Sequence, residues 1–196
     1  LSPAPENGGE SKNVSKLSLS LTALVSGLMG FMESTAAAPA QSTAMAGAAL
    51  GFLLISSLAW LELWTQAGAF RQPQIILRAI GFVLVMLGLG VLLITAGRLF
   101  YGSHPSPSVM ALFACLGAAV NLLNAALLIQ RRRQKLTMKS VWIAARNDLA
   151  VSAALLLAAG ATLLTESNVA DVAVGGALAA LGTYTGARIL ARGTAG

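Results

Sequence analysis

Arg131-Arg132-Arg133-Gln134-Lys135-Leu136-Thr137-Met138-Lys139 holds five of the chain's thirteen basic residues and separates two long apolar stretches. Short loops rich in Lys and Arg stay on the cytoplasmic side of a membrane. This connection therefore predicts the inner face of a polytopic membrane protein and fixes the phase of the segments around it. Outward from it the chain divides into six stretches, near 13–34, 43–66, 74–98, 108–130, 139–164 and 169–190. Each approaches the roughly twenty helical residues that a hydrocarbon core about 30 Å thick requires. The expected fold is all-α, a six-transmembrane-helix bundle over 13–192 with both termini cytoplasmic. A polar, disordered cytoplasmic tail is expected over 1–12, and a short C-terminal tail over 193–196.

Composition agrees. Hydrophobic residues make up 56% of the chain and charged ones 10%, far from the roughly 25% charge of a soluble domain. The basic excess lies at the ends of apolar segments, without a basic face interleaved with aromatics, so nucleic acid is not an expected partner. Cys115 stands alone in an apolar segment and reads as a small core residue rather than half of a disulfide or a metal ligand. No basic leader with a cleavage site precedes the first span, which is expected to direct its own insertion.

The connections carry turn chemistry: Pro39 with Gln41 and Ser42, Ala67-Gly68, the Gly102-to-Pro107 stretch, the Arg run, and Glu166-Ser167-Asn168. Lys12, Lys16, Arg71, Arg78, Arg188 and Arg192 fall on the side of the Arg run; Glu33, Arg98, His104, Glu166 and Asp171 fall on the other. Trp60, Trp64 and Trp142 sit at predicted inner ends, and Phe100 with Tyr101 at an outer end, as interfacial aromatics do. Small residues at helical spacing, among them Ala44, Gly47, Ala48 and Gly51, and Gly175, Gly176, Gly182 and Gly186, favour close helix packing. Asn168 followed by Asp171 has the form of a helix N-cap with an acid in the first turn, a structural role for Asp171.

Of the charges inside predicted spans, Glu62, Arg146 and Asp148 raise a functional question, since one near a helix centre costs roughly 2.5–3.5 kcal/mol. Asp148 lies about 13 Å along its helix from Lys139, near mid-membrane. Arg146 is about 200° around the same helix, so the two do not form a pair on one face. Glu62, at a depth similar to Arg146, is a candidate intramembrane ion-pair partner for it, the alternative being that Arg146 snorkels to the surface. Asp148 is left with two readings: a part in ion or proton handling, or a neutral place in the packing.

From the third span onward, the order Gly97-Arg98-Leu99-Phe100, His104-Pro105-Ser106-Pro107, Val120-Asn121-Leu122-Leu123, the basic connection, Ser140 to Asp148, and Ala170-Asp171-Val172-Ala173 resembles the cation diffusion facilitator family. A weaker match covers Ser34 to Leu50. The resemblance implies exchange of divalent cations such as zinc for protons, a homodimer, and a transport site built from two pairs of His or Asp. Each pair is spaced four apart, one on the second span and one on the fifth, so that it shares a helix face. Carried over residue by residue, the site positions are Thr43 and Gly47, and Ala144 and Asp148. Only Asp148 keeps a ligand type, and one carboxylate does not complete zinc's four-coordinate shell. The soluble domain that often follows the sixth span in that family has no counterpart before Gly196.

The expected function is thus cation transport on this scaffold, with zinc transport weak or absent. The alternative is a non-transporting structural or regulatory subunit of a membrane complex. No His-Glu-x-x-His, Gly-x-Ser-x-Gly or paired-carboxylate signature suggests an enzyme. No resident cofactor or metal is expected, a divalent cation being left open as cargo. The expected surroundings are a lipid bilayer of inner or plasma type, with a second copy or a larger membrane protein as partner.

Overall fold

The computed structural model describes residues 8–69, 72–129 and 136–193, with side chains over 16–69, 72–129 and 141–191. Six helices follow one another: α1 (Gly8–Ala37), α2 (Thr43–Gln66), α3 (Pro73–Tyr101), α4 (Pro107–Ile129), α5 (Leu136–Thr165) and α6 (Val169–Gly193). No strand occurs among the described residues. Five helices are long and apolar enough to cross a membrane. The exception, α6, is diluted by Asp171, Thr183, Tyr184, Thr185 and five glycines. The expected spans are recovered to within a few residues, except that α1 starts at Gly8 where a tail to residue 12 was expected. The Arg131-to-Lys135 run that set the reading lies outside the described residues, and the side chain of Lys139 likewise.

Helix ends follow their local chemistry. Ser42 caps α2 in extended backbone, its hydroxyl accepting from Met45 N at 3.1 Å. Pro73 and Pro107 open α3 and α4, where a missing N–H costs nothing. Gly68 (φ 70) and Gly102 (φ 78) stop α2 and α3 in the left-handed region that favours glycine.

The α1–α2, α3–α4 and α5–α6 connections meet at one end of the bundle. There Ser106 N donates to Ala40 O (2.9 Å), His104 N to Gln41 Oε1 (2.9 Å), and Asn168 Nδ2 to Ser103 Oγ (3.2 Å). α2 is central, packed by α1, α3, α5 and α6, while α3 lies on α6 and α4 on α5. Its buried face is shared by a cluster of Met45, Ala48, Phe52, Met110, Phe113 and Leu155, and by a second one of Leu19, Ala23, Ile55, Ala59, Leu128 and Val141. Leu93, Phe100, Tyr101, Leu157 and Leu164 stand out from the bundle, as lipid-facing and interfacial side chains do.

Glycines set the closest approaches. A Cβ on Gly186 would lie 2.7 Å from Gly81 O, and one on Gly88 would lie 3.0 Å from Thr183 N, so α3 and α6 meet nearly backbone to backbone. This is the close packing that small residues permit where lipid offers no hydrophobic drive.

Candidate functional site

Asp171 is settled first, because its geometry removes it from the functional candidates. Its carboxylate reaches across to α2 rather than capping its own helix. Oδ1 accepts from Ser42 Oγ (2.5 Å) and Ala44 N (3.1 Å), and Oδ2 from Thr43 N (2.8 Å) and Thr43 Oγ1 (2.9 Å). With Ser42 Oγ serving Met45 N, three of the four N–H groups that a helix start leaves unpaired are satisfied. The acid expected to serve α6 is the cap of α2.

Thr43, one of the expected transport positions, is consumed by that cap and lies away from Asp148. Gly47 faces α6, where an added Cβ would lie 2.8 Å from Leu178 Cβ and 3.1 Å from Gly175 O. The α2 residue that meets Asp148 is Gly51: a Cβ there would overlap the carboxylate, lying 2.7 Å from Cγ. The approach was not legible in advance, since a glycine has no side chain to advertise which residue of another helix leans on it.

Asp148 is 3% exposed. Oδ2 accepts from Asn121 Nδ2 (3.1 Å), which also reaches Ser152 Oγ (3.3 Å). Beside it a cleft of about 480 Å³ runs between α2, α5 and α6, closed by Leu77 and Leu84 of α3. Gly47, Ala144 and Asp148, three of the four expected positions, line it together with Gly51, and Thr43 is not among its lining residues. Among its lining residues Asp148 is the only ionisable one.

Glu62 and Arg146 are not brought together. Glu62 is buried and accepts from Gln66 Nε2 at 2.8 Å. Arg146 is exposed, its guanidinium 5.3 Å from the Trp142 ring centroid, a cation–π arrangement. Two residues apart from Asp148, Arg146 points out of the bundle, as the helical angle between them requires.

A polar interior that sequence reasoning did not single out joins α1, α4 and α5. Glu33, expected to be a charge on the outer side, is 1% exposed, its Oε2 without a partner among the described residues. Asn121 and Asn124 are fully enclosed, each with a partnerless Oδ1, and Asn124 Nδ2 donates to Ser26 Oγ at 2.8 Å. The signal was available as a helical stripe, Thr22, Ser26, Met29 and Glu33 on α1 opposite Asn121 and Asn124 on α4.

No group of three or more His, Cys, Asp or Glu able to hold a metal ion occurs among the described residues. Glycine and alanine around Asp148 provide no donor, so the set does not fit a tetrahedral zinc shell. A family model described as the cation efflux transmembrane domain matches residues 75–194, which include Asp148 and most of α3 to α6. No curated protein matches the chain.

Proposed function

We propose, from the premise that this chain belongs to the cation efflux family, that it is an integral membrane transporter carrying a cation through the cleft beside Asp148, with zinc transport weak or absent. The observation that carries this reading is the single buried carboxylate in a cavity whose other family positions, Gly47 and Ala144, offer no ligand atom. A charge kept at such depth costs several kcal/mol and ordinarily marks an ion pathway. Both termini are taken as cytoplasmic, in an inner or plasma-type membrane, and the family supplies the expectation of a homodimer.

The test is proton flux in proteoliposomes on addition of zinc, cadmium, cobalt or manganese, beside calorimetric titration of the detergent-purified protein and an Asp148→Ala variant. Weak or absent zinc response, with any other cation flux abolished in Asp148→Ala, supports the reading. Zinc-driven exchange that survives in Asp148→Ala sinks it.

A second reading, a non-transporting subunit, is favoured by the contact of Asp148 with Gly51, which closes α2 onto α5 at the depth where the family binds its ion. It expects no cation flux and stable co-purification with an unrelated membrane protein.

A further inference from the structure

The cleft beside Asp148 is large, elongated and apolar, and these properties bear on what a single carboxylate in it can hold. Its lining spans Gly47 to Leu58 on α2 and Leu178 to Ile189 on α6, about 16 Å of helix at 1.5 Å per residue. Its volume of about 480 Å³ lies within the roughly 300–1,000 Å³ of small-molecule sites, and far exceeds a dehydrated inorganic ion. Leu50, Leu54, Leu77, Leu84, Leu178 and Ile189 form the walls; beside Asp148 only Asn147 and Thr185 bring polar side chains.

Charge and solvation decide the class of occupant. A dication on one carboxylate keeps an uncompensated positive charge in a low-dielectric surrounding, whereas a monocation closes the balance. A small monocation such as sodium needs oxygen donors to replace its water, and leucine walls supply none. A large cation with its charge spread among apolar substituents carries little hydration to lose and gains from burial against those walls. Asp148 borders the cleft while Gly51 packs against its Oδ1 and the Asn121 amide donates to its Oδ2, so the carboxylate presents to an occupant only the edge that lines the cleft.

We infer that this cleft binds a lipophilic organic monocation, a quaternary ammonium or phosphonium with apolar arms, seated with its charge beside Asp148 and its arms along the leucine walls. The inference rests on the reading that the chain carries a cation through this cleft and adds the chemical class of that cation.

The test is equilibrium binding of radiolabelled tetraphenylphosphonium to the full chain in nanodiscs. Unlabelled triphenylphosphine oxide, which has the aryl arms but no net charge, serves as competitor. Asp148→Asn and Thr185→Trp, the second narrowing the cleft without touching the carboxylate, are run beside the parent after their thermal unfolding is matched to it. Saturable binding that weakens roughly tenfold or more in Asp148→Asn, is lost in Thr185→Trp and resists the neutral competitor is the expected result. Equal competition by the phosphine oxide would show an apolar slot that accepts any aryl group or acyl chain, and overturns the inference. No phosphonium binding, with manganese or cobalt flux that still depends on Asp148, overturns the inference and leaves the transporter reading standing. Absence of both overturns both.

Discussion

Replacing Asp171 by alanine tests the claim that this acid is a cap for α2 and not part of a transport route. The substitution deletes both carboxylate oxygens and four hydrogen bonds, from Ser42 Oγ, Thr43 N, Thr43 Oγ1 and Ala44 N. The two hydroxyls can rotate toward other acceptors, but the Thr43 and Ala44 N–H groups are fixed by the helix and buried. Each buried donor left unsatisfied costs about 1–3 kcal/mol; allowing for partial relaxation, the expected loss is about 3 kcal/mol. For a chain of this size that lowers Tm by roughly 6–12 °C. Asp171→Asn keeps one acceptor oxygen and is expected to lose about half as much. Ser42→Ala loses the cap to Met45 and one donor to Asp171, for about 1 kcal/mol. Because Ser42 and Asp171 are bonded to each other, the double variant should cost less than the two single losses added. The assay is thermal unfolding of the purified protein followed by circular dichroism. A Tm for Asp171→Ala within about 1 °C of the parent, or strict additivity with Ser42→Ala, refutes the reasoning.

Three further outcomes follow from close approaches and orphaned atoms. Gly51→Ala places a methyl where the Asp148 carboxylate lies, so it is expected to cost about 1–3 kcal/mol and to weaken any Asp148-dependent ligand binding, both read on one preparation by unfolding and titration. Gly186→Ala drives a methyl against Gly81 O on α3; a similar loss is expected in the unfolding midpoint with binding unchanged, and an unaltered midpoint would mean that α3 and α6 can part at no cost. Glu33→Gln keeps shape and removes a buried ionisable group whose Oε2 has no partner among the described residues, so stability is expected to hold or rise; a loss above about 2 kcal/mol would reveal a partner for this carboxylate.

The helices and their order were legible because their determinants are local: apolar length, Pro73 and Pro107 at starts, Gly68 and Gly102 at stops. The structural role of Asp171 was legible in kind but not in address. A Ser or Asp near a helix start signals a cap, yet the donors this carboxylate serves are 127 to 129 residues away, and nothing local encodes that pairing. The Glu62 and Arg146 expectation matched depth alone; depth leaves the angle about each helix axis free, and Arg146 is turned toward Trp142. Thr43 and Gly47 were carried over from the family resemblance, which does not say which turn of α2 touches Asp148 in this chain; Gly51 does. The burial of Glu33 was not foreseen, because a charge four residues from a helix end looks interfacial. Its stripe with Thr22 and Ser26 continues inward onto α4, and that argues burial.

The four buried carboxyl groups among the described residues sort by how completely their oxygens are served. Asp171 has four donors, so its burial is accounted for by the helix start it completes. Glu62 has the Gln66 amide one turn away on its own helix, an arrangement any helix surface can build. Asp148 accepts from Asn121 alone among the described side chains and borders the cleft, and Glu33 keeps an oxygen without a partner among the described residues. A buried carboxyl group with few protein donors either takes up a proton and stays neutral or is held ionised by a cation within reach. Under the proposed reading the α1–α4–α5 interior and the cleft adjoin at Asp148. Asn121 joins them, since its Nδ2 holds the Asp148 carboxylate while its Oδ1 is left unpaired in the interior. Under the proposed reading, a cation drawn to the cleft side of Asp148 would be felt first at Asn121, whose amide holds that carboxylate.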